Sequence, residues 1–172
     1  MGFEQMTHDW ANFFGALAQI SGALVGLVFV ALTFNARLLG TEGDPLLGAL
    51  ARQIFADFLL LLIISMLMLT PHVVAFQVGL FFLLLSGMGL LRIVGNLLRS
   101  HRQLLGRASG WLIPQRFLLS AAGQVMLGWA GREMMRTPLD QGLVGSLLFT
   151  GVAMLMLSGC RSAWLLVSHR EK

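Results

Sequence analysis

Residues 12–34 read NFFGALAQISGALVGLVFVALTF, a run without a single formal charge. At about 1.5 Å per residue, a helix of this length covers the roughly 30 Å hydrocarbon core of a bilayer. Asn35, Arg37 and the turn-rich Gly40-Thr41-Glu42-Gly43-Asp44-Pro45 close it. The rest of the chain follows the same rule. Of 172 residues, 56% are hydrophobic and 12% charged, about half the charge usual for a soluble domain. Too few charges are present to cover a water-facing surface, so lipid is the expected solvent.

Working outward, a second span covers about 50–69, opening on Arg52 and carrying Asp57. Thr70-Pro71-His72 breaks it, because proline disfavours helix at the residue before it. The third span, about 73–91, ends at Arg92, so spans two and three form a hairpin with almost no loop. Residues 92–116 make a basic connector with Arg99, Arg102, Arg107 and Arg116 and no acid. Its apolar residues predict a helical extension at the membrane interface. The fourth span, about 112–131, is short in apolar residues. The fifth runs over about 143–160, followed by Arg161 and an apolar patch at 163–167. The expected fold is all-α: one polytopic bundle over residues 1–172 with five spans, or four if the fourth does not cross.

Charge sidedness favours five. With the N-terminus outside, the inner segments hold Arg37, Arg52, Arg92, Arg99, Arg102, Arg107, Arg116, Arg161, Arg170 and Lys172, and only Arg132 and Arg136 fall outside. Ten bases against two is the positive-inside pattern. Trp10 and Trp129 then reach the outer interface, Trp111 and Trp164 the inner one, as the aromatic belt requires. The first eleven residues hold Glu4 and Asp9 and no base, unlike a secretory leader. Arginines at the ends of apolar runs address anionic headgroups rather than nucleic acid. Cys160 is the lone cysteine and the four histidines show no paired spacing, so no disulfide, metal centre or other cofactor is expected.

Two features could carry function. Asn12, Gly15, Gln19, Gly22, Gly26 and Thr33 recur in the first span at steps of three, four or seven and share one stripe. One reading is a packing seam, with Ala18, Gly22 and Gly26 as a small-xxx-small ladder and an interhelical bond from Gln19. The other is the wall of a narrow pore, with this helix repeated about a symmetry axis. Asp57 is the second feature. An isolated carboxylate at that depth costs about 2.5–3.5 kcal/mol on insertion scales. From the Pro71-His72 turn, Asp57 lies about 15 residues down one arm and Arg92 about 20 down the other, an offset of roughly 8 Å. Arg92 can reach across much of that, and Arg52 and Arg161 share the same layer. The pair is either a structural lock on the hairpin or a cation or proton site.

Gln77 and Gln124 read as interhelical glue, and the scattered methionines as pliable packing. GxSxG, Walker A, HExxH and GxGxxG are absent, and no nucleophile, base and acid cluster, so no enzymatic activity is expected. The segment Phe13 to Asn35, FFGALAQISGALVGLVFVALTFN, is similar to the first helix of small, uncharacterised bacterial multi-pass membrane proteins. The similarity covers about one seventh of the chain. It implies a bacterial inner-membrane setting and carries no activity with it. The leading functional expectation is a homo-oligomeric channel or small permeation unit. The alternatives are a structural or accessory subunit of a larger membrane complex, and a proton-coupled carrier using Asp57.

Overall fold

The computed structural model describes residues 3–34, 45–71, 74–104, 112–136 and 140–168. Five helices make it up: α1 (Phe3–Phe34), α2 (Pro45–Leu69), α3 (Ala75–Leu104), α4 (Leu112–Met134) and α5 (Gln141–Ser168). Local chemistry sets several ends. Pro45 opens α2, where its fixed φ suits a helix and its missing N–H is not needed. The Thr70 hydroxyl donates to the Met66 carbonyl at 2.9 Å before Pro71 stops the helix. Asp140 caps α5, its carboxylate accepting from the Leu143 N–H at 3.0 Å.

Among the described residues, four helices contain stretches long and apolar enough to cross a membrane: His8–Phe34, Ala51–Leu69, Ala75–Asn96 and Gln141–Trp164. The surface suits such a setting. Leu27, Phe34, Met88, Leu91 and Phe149 are exposed, whereas Gln53, Asp57, Ser120 and Gln124 are buried. This distribution inverts that of a water-soluble protein.

Two boundaries differ from the sequence reading. The third helix runs on past Arg92 to Leu104, in line with the expected helical extension, but its apolar stretch ends at Asn96 rather than at residue 91, so Arg92 lies within it. The patch at 163–167 is not separate either, since α5 takes it in and ends at Ser168. In both places one arginine is too little to break a helix whose flanking residues all favour it.

α4 is helical over Leu112–Met134 yet is not among the four apolar stretches. It lies between α3 and α5, and its Ser120 and Gln124 are buried there while Leu118, Val125 and Trp129 face outward. Ser120 and Gln124 thus lower its hydropathy without standing in lipid. Glycine lets the α3–α4 contact close. A Cβ on Gly79 would stand 2.5 Å from the Gly131 carbonyl oxygen, and one on Gly131 would stand 2.7 Å from that of Gly79. Further along, Gly89 faces Gln124, so α3 advances while α4 recedes and the two are antiparallel. Gly123 meets Leu155 and Leu127 meets Gly151, so α4 and α5 are antiparallel as well. α1 runs with α5, since Trp10 lies against Gly145 and Phe13 against Phe149.

α2 packs mainly on α1 and α5, and α2 and α3 meet over a short stretch. The expected two-helix hairpin is therefore opened, and the core between its arms is shared with α4 and α5. Phe14, Phe58, Leu61, Ile64, Phe82, Leu127, Leu148 and Leu155 fill that core.

Candidate functional site: a buried polar node and an uncovered helix face

Asp57 is fully buried at the meeting point of four helices. Its Oδ1 accepts from Arg92 Nη2 of α3 at 3.2 Å, from Ser120 Oγ of α4 at 3.1 Å and from Gln53 Nε2 at 2.9 Å. Its Oδ2 accepts from Ser158 Oγ of α5 at 3.3 Å and from Gln53 Nε2 at 3.1 Å. The Gln53 amide also donates to Ser120 Oγ at 2.7 Å, tying the serine to α2 as well as to the carboxylate. Gln53 is one turn before Asp57 on the same face, so α2 supplies both the charge and one of its donors. The structure thus brings Asp57 and Arg92 together.

Arg52 and Arg161 are exposed and are not among the residues on the carboxylate. α2 turns Gln53 and Asp57 inward, which sends Arg52 to the opposite side. Arg92 is one-third exposed and reaches the pair by its guanidinium. A buried carboxylate held by one arginine and three neutral donors meets the requirement for a charge in a low-dielectric interior. Ser120 and Ser158 had no signal in the sequence. Gln53 had one, its i−4 spacing to Asp57.

The glue assigned to Gln124 is made differently. Its side chain is buried, but neither its Nε2 nor its Oε1 has a hydrogen-bond partner. The bond between α3 and α4 comes instead from Ser86 Oγ, which donates to the Gln124 backbone carbonyl at 2.6 Å. Gln77 is exposed on α3.

The first-helix stripe looks away from the bundle. α1 buries Phe14, Leu17 and Ser21, and the Ser21 hydroxyl donates back to the Leu17 carbonyl at 2.6 Å. Asn12, Gln19, Gly26 and Thr33 are exposed, and Gly15 and Gly22 are half-buried. A Cβ on Gly15 or Gly26 would meet nothing within 4 Å, and one on Gly22 would meet only Leu62 at 3.8 Å. Of the ladder, Ala18 and Gly22 are half-buried, with Gly22 beside Leu62 of α2, and Gly26 faces outward. Among the exposed residues of α1, which also include Ile20, Leu27, Phe29 and Phe34, the set Asn12, Ala16, Gln19, Ala23, Gly26, Val30 and Thr33 alternates steps of four and three. That spacing is the seam of a helix that meets another helix along its length.

Near the C-terminal end of α4, Glu133 accepts from Arg136 Nη1 at 3.0 and 3.1 Å and from Trp129 Nε1 at 3.2 Å. Arg132 stands 3.8 Å away. Arg99 and Arg102 fall in the last turns of α3 and Arg116 near the start of α4. Arg37, Arg107, Arg170, Lys172 and Trp111 lie outside the described residues. Comparison with protein-family models, curated proteins and solved structures gives no match.

Proposed function

We propose that the chain is a non-catalytic integral membrane protein that assembles with copies of itself through α1 and forms a small permeation unit about that axis. In this reading all five helices cross, with the N-terminus outside and the C-terminus inside a bacterial inner membrane. The inner arginines rest on anionic headgroups.

The face of α1 that the bundle leaves uncovered carries the proposal. It holds Asn12, Gln19 and Thr33 among small residues in an otherwise apolar stretch. Thr33 satisfies its own hydroxyl by donating to the Val30 carbonyl at 2.8 Å. The Gln19 amide, about 13 Å beyond the Trp10 interface, needs an outside partner, because hydrocarbon offers neither donor nor acceptor. A second copy supplies both, since an amide both donates and accepts and pairs with its own kind. Small residues let the helices come close, and a narrow, uncharged, partly polar wall is what a hydrated path requires.

The helix directions support five spans. α3 and α5 are both antiparallel to α4, so they run the same way. A chain that crosses twice in one direction must return between, and α4 is the helix between them.

The test is the native mass of the full chain in nanodiscs, with ion flux in liposomes. A multiple of 18.8 kDa and flux that falls in Gln19→Leu are expected. A monomer, or flux unchanged by the substitution, overturns the proposal. The same uncovered face also suits an accessory subunit seated on a different chain. That alternative predicts a monomer with no flux that co-purifies with unrelated proteins. A carrier centred on Asp57 has less support, because Arg92, Gln53, Ser120 and Ser158 already occupy the carboxylate.

A further inference from the structure

The Asp57 carboxylate is filled, but its neighbours are not. Arg92 Nε, Gln53 Oε1, and both Nε2 and Oε1 of Gln124 are buried without a protein partner. These atoms lie within about one helical turn of the Asp57 pair, on either side of it. Gln124 is one turn beyond Ser120 on α4, and Ser120 is bonded to both Gln53 and Asp57. On α3, Gly89 is one turn before Arg92, and the Gln124 amide lies against it: a Cβ there would stand 2.5 Å from Cδ, 2.6 Å from Oε1 and 2.7 Å from Nε2. The absence of a side chain at Gly89 is what gives the amide its place.

The chemistry of the set defines its ligand. Arg92 Nε and Gln124 Nε2 can only donate, and Gln53 Oε1 and Gln124 Oε1 can only accept. An anion would satisfy the donors alone and a metal ion the acceptors alone. A small neutral species that both donates and accepts satisfies all of them. Water is the smallest, and buried waters typically make about three bonds to groups of this kind. Left unmatched, such groups keep the full penalty of their desolvation.

We propose that Gln124, Gln53 and Arg92 form a buried water site beside the Asp57 ion pair. Gln124 lies about 18 Å along α4 from Leu112, near the middle of the helix. The site therefore keeps exchangeable water at the centre of the bundle, within a single chain and independent of any assembly through α1.

The experiment is water-edited solid-state NMR on the full chain in lipid bilayers, with glutamine and leucine labelled with carbon-13. Magnetisation from water is expected to reach the Gln124 side chain several-fold faster than that of Leu127, an equally buried apolar residue on the same helix. Gln124→Leu assigns the signal by its loss and is expected to slow transfer to Gln53 as well. If that variant fails to fold, Gln124→Met serves for assignment, and the decisive rate is still read on the unaltered protein. Transfer to Gln124 as slow as to Leu127 overturns the proposal, and would mean that the amides find each other directly.

Discussion

Arg92 Nη2 lies 3.2 Å from Asp57 Oδ1, and the two residues differ sharply in setting: the aspartate side chain is fully enclosed, the arginine 32% exposed. The pair is therefore asymmetric. Removing the arginine strands a charge in the core, whereas removing the aspartate leaves an arginine that can withdraw toward the surface.

Arg92→Leu is accordingly expected to destabilise the fold by about 3–5 kcal/mol, the range for breaking a buried pair on one side. Asp57→Asn should cost less, since the amide keeps an acceptor for Ser120 and brings no charge. The double variant should be more stable than Arg92→Leu alone, because the stranded charge is gone. Equilibrium unfolding in mixed micelles measures all three. A double variant less stable than Arg92→Leu would show that Asp57 is not held as an ion.

The glycines between α3 and α4 give a prediction with two signs. Gly131→Ala places a methyl 2.7 Å from the Gly79 carbonyl oxygen and 2.8 Å from Phe82 Cβ, so the helices must part. Overpacking of this kind costs about 1–3 kcal/mol. Gly87 is on α3 with nothing within 4 Å of a Cβ. Gly87→Ala should be neutral or stabilising, by up to about 1 kcal/mol of helix propensity. Thermal unfolding in one detergent compares them. Equal losses at both sites would mean that the two helices do not meet through glycine.

Much of this arrangement was legible because lipid imposes it. The apolar runs had to be long, and the Asp57–Arg92 depth match followed from counting residues away from a proline turn. Ser120 and Ser158 stayed hidden because serine is common in buried helices and announces no partner. α4 looked deficient for the reason that makes it central: Ser120 and Gln124 point inward, and sequence alone cannot subtract inward-facing polarity from a span. Asn12, Gln19, Gly26 and Thr33 of the α1 stripe are exposed, while Gly15 and Gly22 lie half-buried at its edge. Steps of three and four allow either Gly15 and Gly22 or Ala16 and Ala23, and only the position of Phe14 and Leu17 against the core decides between them.

That inward polarity bears directly on how often the chain crosses. If α4 crosses, positions 5 and 168, on α1 and at the end of α5, lie on opposite sides of the membrane. If it does not, they share a side, and the base-free N-terminus joins the basic C-terminus against the positive-inside pattern. Single cysteines from Gln5→Cys and Ser168→Cys, each with Cys160→Ser because Cys160 is exposed, separate the cases with a membrane-impermeant thiol reagent on intact cells. Gln5→Cys should label from outside, and Ser168→Cys only after the membrane is opened. Labelling of both from one side would remove α4 as a span. It would also break the inference from helix direction, because α3 and α5 run the same way and cannot both cross unless the chain returns between them.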